Sequence, residues 1–162
     1  MTFTAARPQG TKREIYRDLA LQARGLFDGE RDVIANAANL SSLLFNGLEG
    51  LNWAGFYFLK GDQLILGPFQ GNPACVRIAL GKGVCGTAAA QRTTLVVADV
   101  HEFPGHIACD VASNSEIVIP LVRDGALIGV LDIDSPLFSR FDGEDRAGLE
   151  TLAALWLTAS DP

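Results

Sequence analysis

The chain has 162 residues, 48% of them hydrophobic, and a formal net charge of −6 at neutral pH. This length suits one domain with a full apolar core, and the composition excludes a disordered chain. The negative charge and the dispersed basic residues disfavour nucleic acid as the main partner. No apolar stretch approaches the roughly 20 residues of a membrane span, and residues 1–8 lack the apolar core of a signal peptide. We therefore expect a cytoplasmic protein with neither nucleic-acid nor membrane partners.

The beginning of the chain predicts a flexible arm, 1–10, followed by a single domain, 11–160. Thr11 and Glu14 have the spacing of a capping box, in which each side chain satisfies a free amide of the first helical turn. The apolar residues that follow have a helical period up to Gly29, which breaks it.

Helical and strand-like periods then follow one another along the domain. Further helices are predicted at 32–45, 83–91 and 142–159, and strands at 52–60, 63–69, 76–80, 95–98, 116–122 and 126–134. Residues 99–114 contain Pro, Gly and two His with little periodicity, which predicts a long loop of the kind that often carries function. Strands gathered between N- and C-terminal helices indicate the α+β class, an antiparallel sheet flanked by those helices.

The last predicted strand ends in two carboxylates, Asp132 and Asp134, which share a face because side chains alternate along a strand. The strand before it contributes Glu116. A three-residue hairpin loop, 123–125, would place Glu116 opposite Asp132 on that face, whereas a two-residue loop would turn it to the other face. We expect the three-residue loop. Three neighbouring carboxyl groups need a cation or raised pKa values, so a substrate ammonium group would suit them and a protonated carboxyl would act as an acid.

A metal ion is the competing use of such residues, and the spacing disfavours it. Hard cations bind carboxylates, but no loop has the spacing of an EF-hand. Zinc would need Cys75, Cys85, Cys109 and a histidine, yet the cysteine intervals of 10 and 24 residues do not match a zinc site. We expect no bound metal.

The first predicted strand carries aromatic residues on both faces. Phe56 and Phe58 share one face and are expected in the core. Trp53 and Tyr57 lie on the other face, separated by Gly55. They either pack in a core or wall a small pocket, where a methyl-bearing or thioether ligand would fit.

Three cysteines, Cys75, Cys85 and Cys109, lie in turn-rich segments within 35 positions. A single free cysteine is more often simply buried. Three so close together favour chemistry, because a thiolate attacks an electrophilic sulfur or oxygen and a second thiol can resolve the product as a disulfide.

Seven segments that surround these residues form a distinctive pattern. They are NWAGFY at 52–57, LGPFQG at 66–71, ACVRI at 74–78, GKGVCGTA at 81–88, GHIACD at 105–110, ASNSEIV at 112–118 and GVLDIDS at 129–135. Together they resemble the free methionine-(R)-sulfoxide reductases, a family of single GAF domains, over roughly residues 11–158. The cysteine set makes the resemblance specific, since a generic GAF domain would share the apolar hairpin but not the cysteines.

The resemblance implies a GAF-like catalytic domain whose substrate is free methionine-(R)-sulfoxide. Cys109 matches the nucleophile, which attacks the sulfoxide sulfur and becomes a sulfenic acid as methionine leaves. Either Cys75 or Cys85 then forms a disulfide with it, and Cys75 is placed first. Thioredoxin reduces this disulfide, so no bound cofactor is implied, and a homodimer is expected because the family is commonly dimeric.

The resemblance also implies roles for the pocket residues. Glu116, Asp132 and Asp134 would hold the substrate ammonium group, and one of them, with Glu116 and Asp134 as the catalytic candidates, would protonate or polarise the sulfoxide oxygen. Trp53 and Tyr57 would enclose the methyl-sulfur end. The alternative is a GAF domain without catalysis that senses a small ligand or an oxidant.

Overall fold

The computed structural model describes residues 3–162. Its helices are α1 (Lys12–Phe27), α2 (Val33–Gly47), α3 (Gly83–Gln91) and α4 (Gly143–Ala159), its strands are β1 (Trp53–Lys60), β2 (Gln63–Gly71), β3 (Arg77–Ala79), β4 (Leu95–Val97), β5 (Ser115–Arg123) and β6 (Ala126–Ser135), and Val100–Glu102 forms a short 3-10 helix. Each predicted helix and strand is present with small differences at its ends. The predicted α+β class is therefore confirmed.

The six strands form one antiparallel sheet in the order β3-β2-β1-β6-β5-β4. Helices α1, α2 and α4 cover one face and bury the larger core, to which Phe56 and Trp156 belong. Helix α3 covers part of the other face and buries a smaller core. Within residues 3–162 no helix combines the length and apolar character needed to cross a membrane.

The hairpin between β5 and β6 differs from the prediction. Arg123 pairs with Ala126, so the loop has two residues, Asp124 and Gly125, both with positive φ as in the tight hairpin turn that Asp-Gly favours. The three-residue loop was therefore wrong. Farther from the turn, an irregularity at Ile128 inserts one extra residue into β6. The register of the rest of the hairpin is therefore shifted by one residue.

This shift restores the predicted face of Glu116 but changes its partner. Glu116 pairs with Asp134, and Asp132 pairs with Val118. Since the inserted residue reverses the effect of the shorter loop, all three carboxyl groups still point to the same side of the sheet.

The N-terminal residues that the structure describes, 3–10, form neither helix nor strand. They lie against α1, where the Gln22 side chain accepts a hydrogen bond from the Ala6 amide (3.2 Å) and donates one to its carbonyl (2.8 Å). Residues 1 and 2 of the predicted arm lie outside the described residues. The division into an arm and a domain at residue 11 stays a prediction.

A buried carboxylate, Asp145, links α1 to the start of α4. It accepts hydrogen bonds from the Tyr16 hydroxyl (2.7 Å), the Lys12 ammonium (2.6 Å), the Arg140 guanidinium (3.2 Å) and the Asp142 amide (2.9 Å). Asp142 in turn caps the helix. With four donors on its two oxygens, this charge is satisfied although it is fully buried.

We expect Asp145→Ala to lower the free energy of unfolding by about 3 kcal/mol or more, because it removes the buried acceptor that Lys12, Arg140 and the Tyr16 hydroxyl share. Urea denaturation measures the loss. Glu150→Ala is the matched control on the same helix: it removes only an exposed ion pair with Arg146 and should cost about 0.5 kcal/mol or less. Equal losses in the two variants would contradict the role of Asp145.

Candidate active site

A pocket opens on the α3 side of the sheet, between the strands and two loops. The sequence predicted seven of the residues that line it: Trp53, Tyr57, Cys85, Cys109, Glu116, Asp132 and Asp134. The eighth predicted site residue, Cys75, joins them through a disulfide to Cys109. Residues from β1, β5, β6, α3 and the loop at 103–114 are thus brought together from distant parts of the sequence.

The carboxyl groups occupy neighbouring positions on two adjacent strands, β5 and β6. Asp134 lies between Glu116 of β5 and Trp53 of β1, and Asp132 lies beside Gly55. Glu116 and Asp132 are buried, with 7% and 5% of their surface exposed, and Asp134 is half-buried. These three residues form what we call the carboxyl cluster.

Burial raises the pKa of each member of the carboxyl cluster, because the charged form loses its hydration. The rise is large for Glu116 and Asp134, whose pKa values the neighbouring Asp132 charge raises further. For Asp132, hydrogen bonds from Glu116 and Cys85 oppose the effect of burial on the pKa. Asp132 is therefore the member that ionises first, while Glu116 and Asp134 keep their protons to higher pH.

Cys85 lies under this cluster and is a free thiol. Its Sγ donates to Glu116 Oε1 at 3.7 Å, and its pKa is raised well above the usual range by burial and then by the Asp132 and Glu116 charges. Asp132 Oδ1 is buried and has no hydrogen-bond partner. These three side chains also offer ligand atoms within 4.8 Å of one another, so they are the residues that would hold a metal ion. The expectation of no metal stays a prediction.

The aromatic residues form a wall beside the cluster. The Trp53 ring stacks on Tyr57 with centroids 5.9 Å apart and on Phe69 with centroids 5.2 Å apart. Gly55 is required between them, since a Cβ there would come within 2.8 Å of the Trp53 ring and 2.4 Å of Phe69 Cβ. Both interpretations of the strand therefore hold: Trp53 and Tyr57 belong to the smaller core and also line the pocket.

The polar atoms of this wall fix the loop that carries Cys75. Trp53 Nε1 donates to the Asn72 carbonyl at 3.1 Å, and the Tyr57 hydroxyl donates to the Cys75 carbonyl at 2.9 Å. The loop backbone is therefore held against β1 on the pocket side.

A second contact fixes the loop that carries Cys109. The Asn52 amide nitrogen, one residue before β1, donates to Asp110 Oδ2 (3.1 Å) and to Ser113 Oγ (3.0 Å). Because both loops are attached to the same short stretch of chain, Cys75 and Cys109 meet although 34 positions separate them, and their Cα atoms lie 5.3 Å apart.

Comparisons with known proteins agree with this geometry. Residues 35–156 match the GAF domain model. The chain is 56% identical over 143 residues to the free methionine-R-sulfoxide reductase of Escherichia coli, covering 88% of this chain and 87% of the relative. It is 47% identical over 152 residues to the free methionine-R-sulfoxide reductase of Saccharomyces cerevisiae, covering 89% and 84% of the two chains.

A solved structure extends the comparison to the fold. The free methionine-R-sulfoxide reductase of Neisseria meningitidis in complex with its substrate superposes with a TM-score of 0.93 at 41% identity, covering 98% of this chain and 95% of that one. The chain belongs to the free methionine-(R)-sulfoxide reductase family. The family resemblance and the GAF fold are thereby confirmed.

Sequence reasoning missed several pocket residues of this family member, among them Lys82, His106 and Asp110. Asp110 directly follows Cys109, and that proximity was an available signal. Lys82 precedes the first turn of α3 and makes no side-chain cap there, so only the fold relates it to the pocket. Burial, followed by the charge of His101, lowers the pKa of His106 and favours its neutral form.

We expect Glu116→Gln to raise the free energy of unfolding at pH values above the usual pKa of glutamate. A carboxyl with a raised pKa holds its proton in the folded state while the unfolded chain has lost it. The free energy of unfolding therefore falls as pH rises, by up to about 1.4 kcal/mol per pH unit. Glutamine keeps an acceptor for Cys85 and a donor for Asp132 but cannot ionise.

Denaturation of reduced protein at pH 5 and pH 8 tests this expectation. The difference in stability between these pH values should shrink in Glu116→Gln and stay unchanged in the exposed control Glu150→Gln. An unchanged pH dependence in Glu116→Gln would show that Glu116 ionises normally in the folded protein.

Proposed function

We propose that this protein reduces free L-methionine-(R)-sulfoxide to methionine with Cys109 as the nucleophile. One observation carries the proposal: Cys109 lines the same pocket as the carboxyl cluster and the aromatic wall, and it is bonded to a second cysteine. Sulfoxide reduction requires a thiol, an acid and an apolar surface that binds the thioether product.

The charges of the pocket suit a free amino acid. Asp132, the most readily ionised carboxyl, has a buried oxygen without a partner and would accept the substrate ammonium group. The substrate carboxylate would bind at the start of α3, where the amides of the first turn have no intrahelical acceptor. Lys82, which also lines the pocket, supplies a cation there. A methionine sulfoxide within a peptide has neither charged group and would leave Asp132 unpaired.

The reaction needs a proton on the sulfoxide oxygen while sulfur is attacked. Glu116 or Asp134 supplies it, since burial and the Asp132 charge raise the pKa values of both groups and favour their protonated forms. The Cys109 thiolate attacks the substrate sulfur. The substrate S–O bond then breaks as the protonated oxygen transfers to the Cys109 sulfur, the transient bond between the two sulfur atoms breaks, and methionine leaves with that electron pair while Cys109 becomes a sulfenic acid. The methyl-sulfur end lies against Trp53 and Tyr57.

Cys75 then regenerates the enzyme. Its thiol attacks the Cys109 sulfenic sulfur and forms the disulfide with loss of water, and thioredoxin reduces that disulfide to two thiols. The bond between Cys75 and Cys109 supports this choice of resolving thiol. Cys85, buried and hydrogen-bonded to Glu116, has a thiol pKa raised far above neutral and is the weaker candidate.

We expect thioredoxin-dependent NADPH oxidation with free methionine-(R)-sulfoxide, and little with the free S epimer or with a peptide sulfoxide. In Cys109→Ser the rate should fall by about 10³-fold or more with the fold intact, because the nucleophile is lost. Circular dichroism and the denaturation midpoint check the fold. Normal turnover in Cys109→Ser, or equal rates with a peptide sulfoxide, would overturn the proposal.

The two remaining cysteines should behave differently. Cys75→Ser should release about one methionine per protein and then stop with thioredoxin, because the sulfenic acid has no resolving thiol. Cys85→Ser should continue to cycle, since serine retains a donor for Glu116. Rapid-quench measurement of methionine released per chain distinguishes them. Sustained cycling by Cys75→Ser and a single turnover by Cys85→Ser would reverse the assignment.

The homodimer and the cytoplasmic location are also part of the proposal. The homodimer rests on the family resemblance, and light scattering of the purified protein tests it through the molar mass. The cytoplasmic location rests on the sequence alone, and fractionation of the source cells tests it.

A further inference from the structure

Exposed apolar residues lie close in the chain to both cysteines of the disulfide. Val76 follows Cys75 and is 60% exposed, while Ile107 and Val111 lie two residues before and after Cys109 and are 40% and 91% exposed. We call Val76, Ile107 and Val111 the disulfide rim. Because Cys75 and Cys109 are bonded to each other, every residue of the disulfide rim lies within two positions in the chain of a bonded cysteine.

Ile107 also lines the substrate pocket, but the fold does not explain why Val76 and Val111 are apolar. Val76 and Val111 belong to neither hydrophobic core and do not line the substrate pocket. The Cys109 loop is held by polar contacts of Asp110 and Ser113 instead. Exposed apolar side chains that the core does not use, close in the chain to a reactive group, favour an interaction site.

The position of the rim decides what kind of partner it fits. Cys75 and Cys109 are both half-buried. Any protein thiol that reaches their sulfur atoms must cover the side chains that flank them. A small thiol reaches the same atoms without covering them and gains nothing from an apolar rim.

We propose that the disulfide rim is the docking surface for a thioredoxin-type dithiol protein. The proposal rests on the proposed function, in which the bond between Cys75 and Cys109 forms once per turnover. Burying the rim against an apolar surface of the partner holds the partner's attacking sulfur in line with the disulfide, so the rim determines the rate of reduction by a protein but not by a small molecule.

The exchange is balanced by the partner's two thiols. A partner thiolate attacks one sulfur of the disulfide, the bond between Cys75 and Cys109 breaks, and the other cysteine leaves as a thiolate that takes up a proton. The second partner thiol then attacks the mixed disulfide. Two electrons and two protons pass to this protein, which ends with two thiols, and the partner ends as a disulfide.

The test uses oxidised protein without sulfoxide. Reduced thioredoxin or dithiothreitol is added, and the release of thiols is followed with time in the double variant Val76→Asp/Val111→Asp. The second-order rate constant with thioredoxin should fall by about tenfold or more, which corresponds to about 1.4 kcal/mol. The rate with dithiothreitol should stay within twofold of the unsubstituted protein.

Two controls isolate the apolar contact. Ile34→Asp places the same charge at an exposed apolar residue of α2, on the opposite face of the sheet, and should change neither rate. Val76→Lys/Val111→Lys should lose the same rate with thioredoxin as the aspartate variant, because either charge must be desolvated in the contact.

The proposal is overturned if thioredoxin reduces the double variant at the unsubstituted rate, if dithiothreitol loses rate in parallel, or if the lysine variant is unimpaired. A protein that fails to reduce the sulfoxide but shows the selective loss with thioredoxin would refute the proposed function and leave the docking surface standing. The two failures are therefore distinguishable.

Discussion

The site depends on the strand register that places Glu116, Asp132 and Asp134 on one side of the sheet. A two-residue turn without the irregularity at Ile128 would bring Glu116 opposite Ile133, in the core beneath the helices. There a carboxyl group would be buried among apolar side chains without partners. One inserted residue in β6 thus decides both that the core is apolar and that the pocket is acidic.

The same burial gives the carboxyl cluster its chemical character. In water three neighbouring carboxylates would all be ionised at neutral pH, and they would attract any cation. Under α3 the loss of hydration raises all three pKa values, those of Glu116 and Asp134 most, so Asp132 is the member that ionises first. In the proposed function, one cluster therefore binds the ammonium group and supplies the proton.

The larger hydrophobic core and the pocket lie on opposite faces of the sheet. The helical face is closed by a large apolar core and by Asp145, whose four donors link α1 and α4. The other face is covered only in part, by α3 and by two loops that Asn52 and β1 hold in place. The anchors, Asn52 and Tyr57, hold the loop backbones, and the two bonded cysteines of these loops are half-buried.

The sequence by itself determined the elements, the class of fold and most of the site. Helical and strand periods are local, so they were visible without tertiary structure, and the cysteine motifs were specific enough to indicate the family. The hairpin loop was wrong because a bulge leaves no mark in the hydrophobic pattern, and the correct face of Glu116 was reached through two differences that cancel. Only the tertiary structure decided that Lys82 and His106 line the pocket and that the disulfide rim is exposed. It also decided that Cys75 is bonded to Cys109, while Cys85 lies under the carboxyl cluster. These are contacts between residues far apart in the chain, and their distances depend on how loops pack rather than on any local preference.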